Sequence, residues 1–161
     1  MNNSAILVLS FKTKMRTVFC FFLLSYLTSC SMQAQADFLR PLRWQNRVIL
    51  LIAPSPQDDL YLQQTKVIHE DWAGYQDRDL KVFSVFPNQL LNDRQEKLSQ
   101  DQLNWLKQQA FFNTNTFQFI LIGKDGGQKL VADQVVSNVK LFSLIDGMPM
   151  RRAEMRRKKK G

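Results

Sequence analysis

The side chains that could do chemistry in this 161-residue chain are few and unevenly placed. Both cysteines, Cys20 and Cys30, lie near the front, and the only histidine is His69. From Asp37 onward there is therefore no thiol to attack a disulfide or a peroxide, and none to hold a metal as thiolate. One histidine cannot build a histidine metal cluster within one chain, and no elbow motif surrounds Ser55 or another hydroxyl to complete a triad with it. On a helix beside Glu70 and Asp71, His69 reads as a partly exposed surface residue. Neither a metal nor a cofactor is implied. Asp58 and Asp59 could bind a cation or act as acid and base, but acids in the first turn of a helix are ordinary partners of its dipole. Gly123-Lys124-Asp125-Gly126-Gly127 has the glycines and the lysine of a phosphate loop. It lacks the Walker spacing and leads into a strand instead of a helix, so it reads as a hairpin turn.

The elements that must position these residues follow from periodicity. Arg47-Val48-Ile49-Leu50-Leu51-Ile52-Ala53 is a continuous apolar run of the kind buried on both faces of a sheet, and Pro54-Ser55-Pro56 stops it. Leu60, Val67, Ile68, Trp72 and Tyr75 recur near helical spacing, predicting one helix from Asp58 to about Tyr75. Leu80 to Phe86 is a second strand, and Ser99 with Gln102 resembles a capping box ahead of a helix to about Gln109. Phe117 to Ile122 is a third strand. Asp125-Gly126 signals a tight turn, and Gln128 to Val131 returns. Ser137 caps a last helix with Leu141, Leu144, Ile145 and Met148 on one face, and Pro149 is expected to terminate it. Strand, helix, strand, helix, hairpin, helix predicts an α/β fold, a thioredoxin-like three-layer sandwich around a central mixed sheet.

In that arrangement the hairpin packs against the C-terminal helix, which gathers Lys124, Asp125 and Lys129 with Asp146, Arg151, Arg152 and Glu154. Two readings of the cluster stand. It is a binding surface for a protein or an anionic ligand, or Asp146 pairs with Arg151 or Arg152 to fix the chain reversal, with Met148 and Met150 as core plugs.

Ahead of the domain, residues 1–36 have the features of a secretory signal. Lys12, Lys14 and Arg16 precede an apolar run from Val18 to Leu27, whose ten residues rise only ~15 Å as a helix, too short to span a bilayer. Translation could begin at Met1 or at Met15. Leu27-Thr28-Ser29-Cys30 resembles the lipobox of bacterial lipoproteins, with Cys30 as the lipidated residue. Ala34-Gln35-Ala36 instead fits ordinary cleavage, leaving 125 residues from Asp37, enough to bury roughly two-thirds of the unfolded chain's surface. The expected location is the periplasm or, since Ser31 is not the retaining Asp, the outer membrane of a Gram-negative bacterium. Membrane contact would then come through the lipid.

The net charge of +8 is segregated. Asp37 to Met150 holds 12 Lys/Arg against 13 Asp/Glu, whereas Arg151 to Lys160 holds seven against one. The domain, 37–155, thus has no basic face that would suit nucleic acid, and 156–161 is expected to be a basic, disordered tail. Such a run could attract an anionic surface.

Three segments resemble the family known as domain of unknown function 4174: Trp44-Gln45-Asn46-Arg47, Phe117 to Gly127, and Ile145-Asp146-Gly147-Met148-Pro149-Met150-Arg151-Arg152 with Glu154. The resemblance covers nearly all of Leu42 to Met155. It implies a thioredoxin-like fold in short exported bacterial proteins, similar to domains of animal extracellular proteins with sushi repeats, and carries no established reaction. Relative to redox-active thioredoxins, Pro54 to Asp59 stands where Cys-x-x-Cys would sit, and Asn113-Thr114-Asn115-Thr116 replaces the approach through a cis-proline. The leading functional reading is a non-catalytic binding module. The runner-up is an enzyme using Asp58, Asp125 or Asp146, which requires an acid of raised pKa in a pocket.

Overall fold

The computed structural model describes residues 37–160. The expectations for the leader, including Cys30 and the cleavage site, lie outside these residues. The chain begins with a short 3-10 turn at Arg40–Leu42 and then enters β1, Arg47–Ile52, all six residues of which are buried. Strand β1 lies parallel to β2, Leu80–Phe86, and antiparallel to β4, Gln118–Ile122. Strand β5, Gln128–Ala132, returns beside β4, and β3, Gln89–Leu91, folds back on the outer edge of β2. The sheet order is β3-β2-β1-β4-β5, and the arrangement is a thioredoxin-like α/β sandwich.

Alternation along β1 divides the core into two layers. Ile49 and Leu51 join Tyr61 and Ile68 of α1 (Asp59–Glu70), Tyr75 of α2 (Trp72–Asp77), and Leu141 and Ile145 of α4 (Asn138–Asp146). Val48, Leu50 and Ile52 face the opposite layer, with Phe38, Leu39, and Leu103 and Leu106 of α3 (Gln100–Lys107). A strand with every residue buried needs cover on both sides, and the two helical layers supply it.

Four features differ from the sequence expectation. The helix from Asp58 to Tyr75 is two helices, because Asp71 leaves helical geometry at φ −141° and its carboxylate accepts from the Gly74 N–H at 2.9 Å, capping α2. Strand β3 is too short to carry a periodic signal. Pro149 begins a helix instead of only ending one: α5 spans Pro149–Lys158 with the proline in its first turn, where a missing N–H costs nothing. Helical structure therefore continues through Arg156 and Arg157, past the boundary expected for the tail. Met150, expected as a core plug, is 39% exposed, while Met148 packs against the core.

Candidate functional site

The starts of β1 and β2 and the end of β4 lie at one end of the sheet, since Arg47 pairs with Leu80 and Val48 with Ile122. Three connections meet there: Asp77-Arg78-Asp79 before β2, the Gly123–Gly127 turn, and the junction between α4 and α5. The turn needs its glycine, with Gly126 at φ 81° and the Gly123 N–H donating to the Gly127 carbonyl at 2.9 Å. A side chain at Gly126 would also press on Arg43, whose Nε lies 2.9 Å from where a Cβ would stand.

Charged side chains tie this end together. Arg47, only 1% exposed, donates through both terminal nitrogens to the Glu154 carboxylate at 3.2 and 3.3 Å and to the Arg78 carbonyl at 2.9 Å. Lys124 reaches Asp79 at 2.7 Å and Glu154 at 2.8 Å. Arg151, 3% exposed, donates Nε to Asp146 at 3.0 Å, one terminal nitrogen to the Asp77 carbonyl at 2.8 Å, and the other to the Asp77 carboxylate. Arg78 forks onto Asp146 at 3.1 and 2.6 Å and lies 4.0 Å over the Phe142 ring. Lys158 reaches Asp77 at 2.6 Å. A buried guanidinium is tolerable only when oppositely charged or carbonyl oxygens satisfy its donors; both terminal nitrogens of Arg47 and all three nitrogens of Arg151 have such partners.

The carboxyls respond accordingly. Partial burial pushes Asp146 up, but hydrogen bonds from Arg78 and Arg151 outweigh it and hold the group below its ordinary value. Burial likewise raises Glu154, and Lys124 and Arg47 more than reverse it. Asp77 is lowered chiefly by its hydrogen bond from Lys158, with Arg151 adding to the effect. Asp125 is lowered first by Lys129, at 2.6 Å, and then by the Gly127 N–H.

The seven residues expected to share a surface are thus divided. Lys124, Asp146, Arg151 and Glu154 belong to the half-buried lattice, as the structural reading of the cluster anticipated for Asp146 and Arg151. Asp125 and Lys129 pair with each other on the hairpin. Arg152 points away, exposed and without an ion pair among the described residues. Sequence reasoning missed Arg47, Asp77, Arg78 and Asp79. Arg47 carried a signal, as a cation opening an otherwise apolar strand; Asp77 ends α2, and Arg78 and Asp79 sit in the turn after it, with no motif. Asp58 is the N-cap of α1, its carboxylate accepting from the Tyr61 N–H at 3.0 Å. His69 lines a separate polar pocket with Trp72, Gln76, Lys81, Asp93 and Arg94.

Beside the lattice lies a cleft of about 450 Å³. Leu144, Met148, Pro149 and Met150 form its apolar wall, and the hairpin side presents Lys124, Asp125 and Lys129, with Arg47 at its base. Its volume is that of a small-ligand site, and apolar lining with a few polar groups is the usual composition of one. Among the described residues there is no group of three or more side chains suited to hold a metal, and no helix is long and apolar enough to cross a membrane.

A family model described as a domain of unknown function (DUF4174) matches residues 38–154. No solved structure matches the chain.

Proposed function

The chain belongs to the DUF4174 family, and on that premise we propose that it is an exported, non-catalytic binding module that receives a small amphipathic anion in the cleft between the hairpin and the α4–α5 junction. The observation that carries this reading is the facing of Leu144, Met148, Pro149 and Met150 by Lys124 and Lys129 across about 450 Å³. Arg47 and Lys124 are committed to buried pairs. Lys129 is a third exposed and held only by Asp125, so it is the cation an incoming carboxylate or phosphate can reach without breaking the lattice. The apolar wall suits an alkyl or aryl body.

Acid–base catalysis fits the geometry less well. Asp125 and Asp146 are both held below the ordinary carboxylate range, the opposite of a proton donor poised near neutral pH, and Asp58 is occupied as a helix cap. The basic residues and apolar run of residues 1–36 support export, with lipidation at Cys30 or cleavage after Ala36 as its two forms.

Thermal melting of the purified protein with decanoate, decyl phosphate and, as control, decyl trimethylammonium tests the reading. A ligand present at a hundred times its Kd adds about 2.7 kcal/mol, which for a domain of this size raises the melting temperature by about 10 °C. The anions should produce such a shift, the cation should not, and Lys129→Glu or Met150→Asp should remove it. Equal shifts with anion and cation, or none with either, would exclude the cleft as an anion site.

A further inference from the structure

We propose that the end of the domain bearing Trp44 and the outer face of α5 docks on an anionic lipid surface, with the indole in the headgroup layer and the cations of α5 on the headgroups. The proposal does not depend on the cleft being occupied.

Trp44 is the first observation. It is 68% exposed and sits at φ 65°, a left-handed conformation that is costly for a bulky residue. The conformation is held from both sides: the Trp44 N–H donates to the Lys124 carbonyl at 2.7 Å, and the N–H groups of Gln45 and Asn46 donate to the Leu42 carbonyl at 3.2 and 2.8 Å. Strain maintained by the surrounding backbone in order to present a large apolar ring to solvent is characteristic of recognition sites. An indole, apolar in body with one polar N–H, suits the boundary between headgroups and acyl chains.

The second observation is independent. Helix α5 turns Arg151 and Glu154 inward to the ion-pair lattice, with exposed Lys158 reaching Asp77 at its rim, and that registration leaves Arg152, Arg156 and Arg157 on its outer face, continued by Lys159 and Lys160. These five are exposed and make no ion pair among the described residues. The remainder of the domain, Asp37 to Met150, is nearly neutral, so the charge is concentrated on this one helix.

Both features lie at the same end of the molecule. The Trp44 N–H holds the Lys124 carbonyl, and the Lys124 ammonium holds Glu154 of α5. Charge complementarity selects an anionic partner. The exposed indole, together with partly exposed Met150 at the start of the same helix, selects a lipid surface over a polyanion that offers only phosphates.

The full chain is mixed with vesicles of phosphatidylcholine alone or mixed with phosphatidylglycerol, at low and high salt, and sedimented. A second series uses lipids brominated near the headgroup to quench tryptophan fluorescence, which reports only Trp44, Trp72 and Trp105. Binding should require the anionic lipid and weaken with salt. Changing Arg156→Ala and Arg157→Ala together should weaken it about 25-fold, taking about fivefold per basic residue, and Trp44→Phe should remove the quenched component. Unchanged melting of the variants shows that they fold. Equal binding to neutral and anionic vesicles, or quenching that survives Trp44→Phe, would overturn the proposal. So would tight binding to duplex DNA without binding to the anionic vesicles.

Discussion

Arg151 and Arg152 are adjacent and identical in type, yet their surroundings are opposite. Arg151 has its donors on Asp146, Asp77 and a carbonyl in a nearly closed site; Arg152 faces water. Arg151→Ala should therefore destabilise the domain by about 1–3 kcal/mol, because it removes a buried, fully bonded guanidinium, although Arg78 and Lys158 keep Asp146 and Asp77 paired. Arg151→Lys should recover little, since an ammonium cannot reproduce the fork. Arg152→Ala should stay within about 0.5 kcal/mol. Urea unfolding of the three variants measures the difference, and similar losses for Arg151→Ala and Arg152→Ala would refute the assignment. The carboxyls add a pH dependence. Asp77, Asp146 and Glu154 are all depressed in the folded state, so each contributes stability above its unfolded pKa, about 4, and loses it as pH falls through the folded value. Melting temperature should fall as the solution is acidified below about pH 4, and Asp146→Asn should flatten that fall while lowering stability at neutral pH. No sequence pattern separates Arg151 from Arg152. Only the helical registration of α5 against a turn about 74 residues earlier does so.

At the level of elements, legibility followed how local each signal was. Strand β1 was readable because six consecutive buried residues leave an unbroken apolar run, and α3 because Ser99 and Gln102 cap each other reciprocally. The hairpin was readable from Asp125 and Gly126. Elements set by tertiary context were not. Asp71 divides α1 from α2 by a single backbone rotation, and proline marks helix starts and helix stops equally well, so Pro149 could be read as an end alone. The capping assignment of Asp58 belongs at this scale. Asp58→Ala should cost about 1 kcal/mol in chemical denaturation, with Asp58→Ser recovering most of it, as for any N-cap. A serine that failed to recover the loss would mean that the carboxylate does something besides capping. The candidate site was half legible: the sequence shows the hairpin and α5 charges, but Arg47 and the Asp77-Arg78-Asp79 turn join them only once β1 and β2 lie side by side.

Across the whole molecule, the two ends of the sheet have different character. The end after β1, where Pro54 to Asp59 connects to α1, has a capped helix start and no thiol. The other end has the ion-pair lattice, the cleft, Trp44 and the cationic face of α5. Thioredoxin-like sheets that work through cysteines place them at the first of these ends, whereas in this domain the candidate ligand groups lie at the second. The lattice also has a consequence for how the chain matures. Glu154 is 107 residues from Arg47 and is that guanidinium's one carboxylate partner among the described residues, while Lys124 shares it with Asp79. During synthesis or passage through a membrane, everything up to β5 can emerge before that carboxylate does. Until α5 arrives the Arg47 guanidinium has no carboxylate to pair with and stays hydrated, so this end of the sheet closes only when α5 docks. Helix α5 thus acts as a clasp, because seating Glu154 on Arg47 is what lets this end of the sheet exclude water.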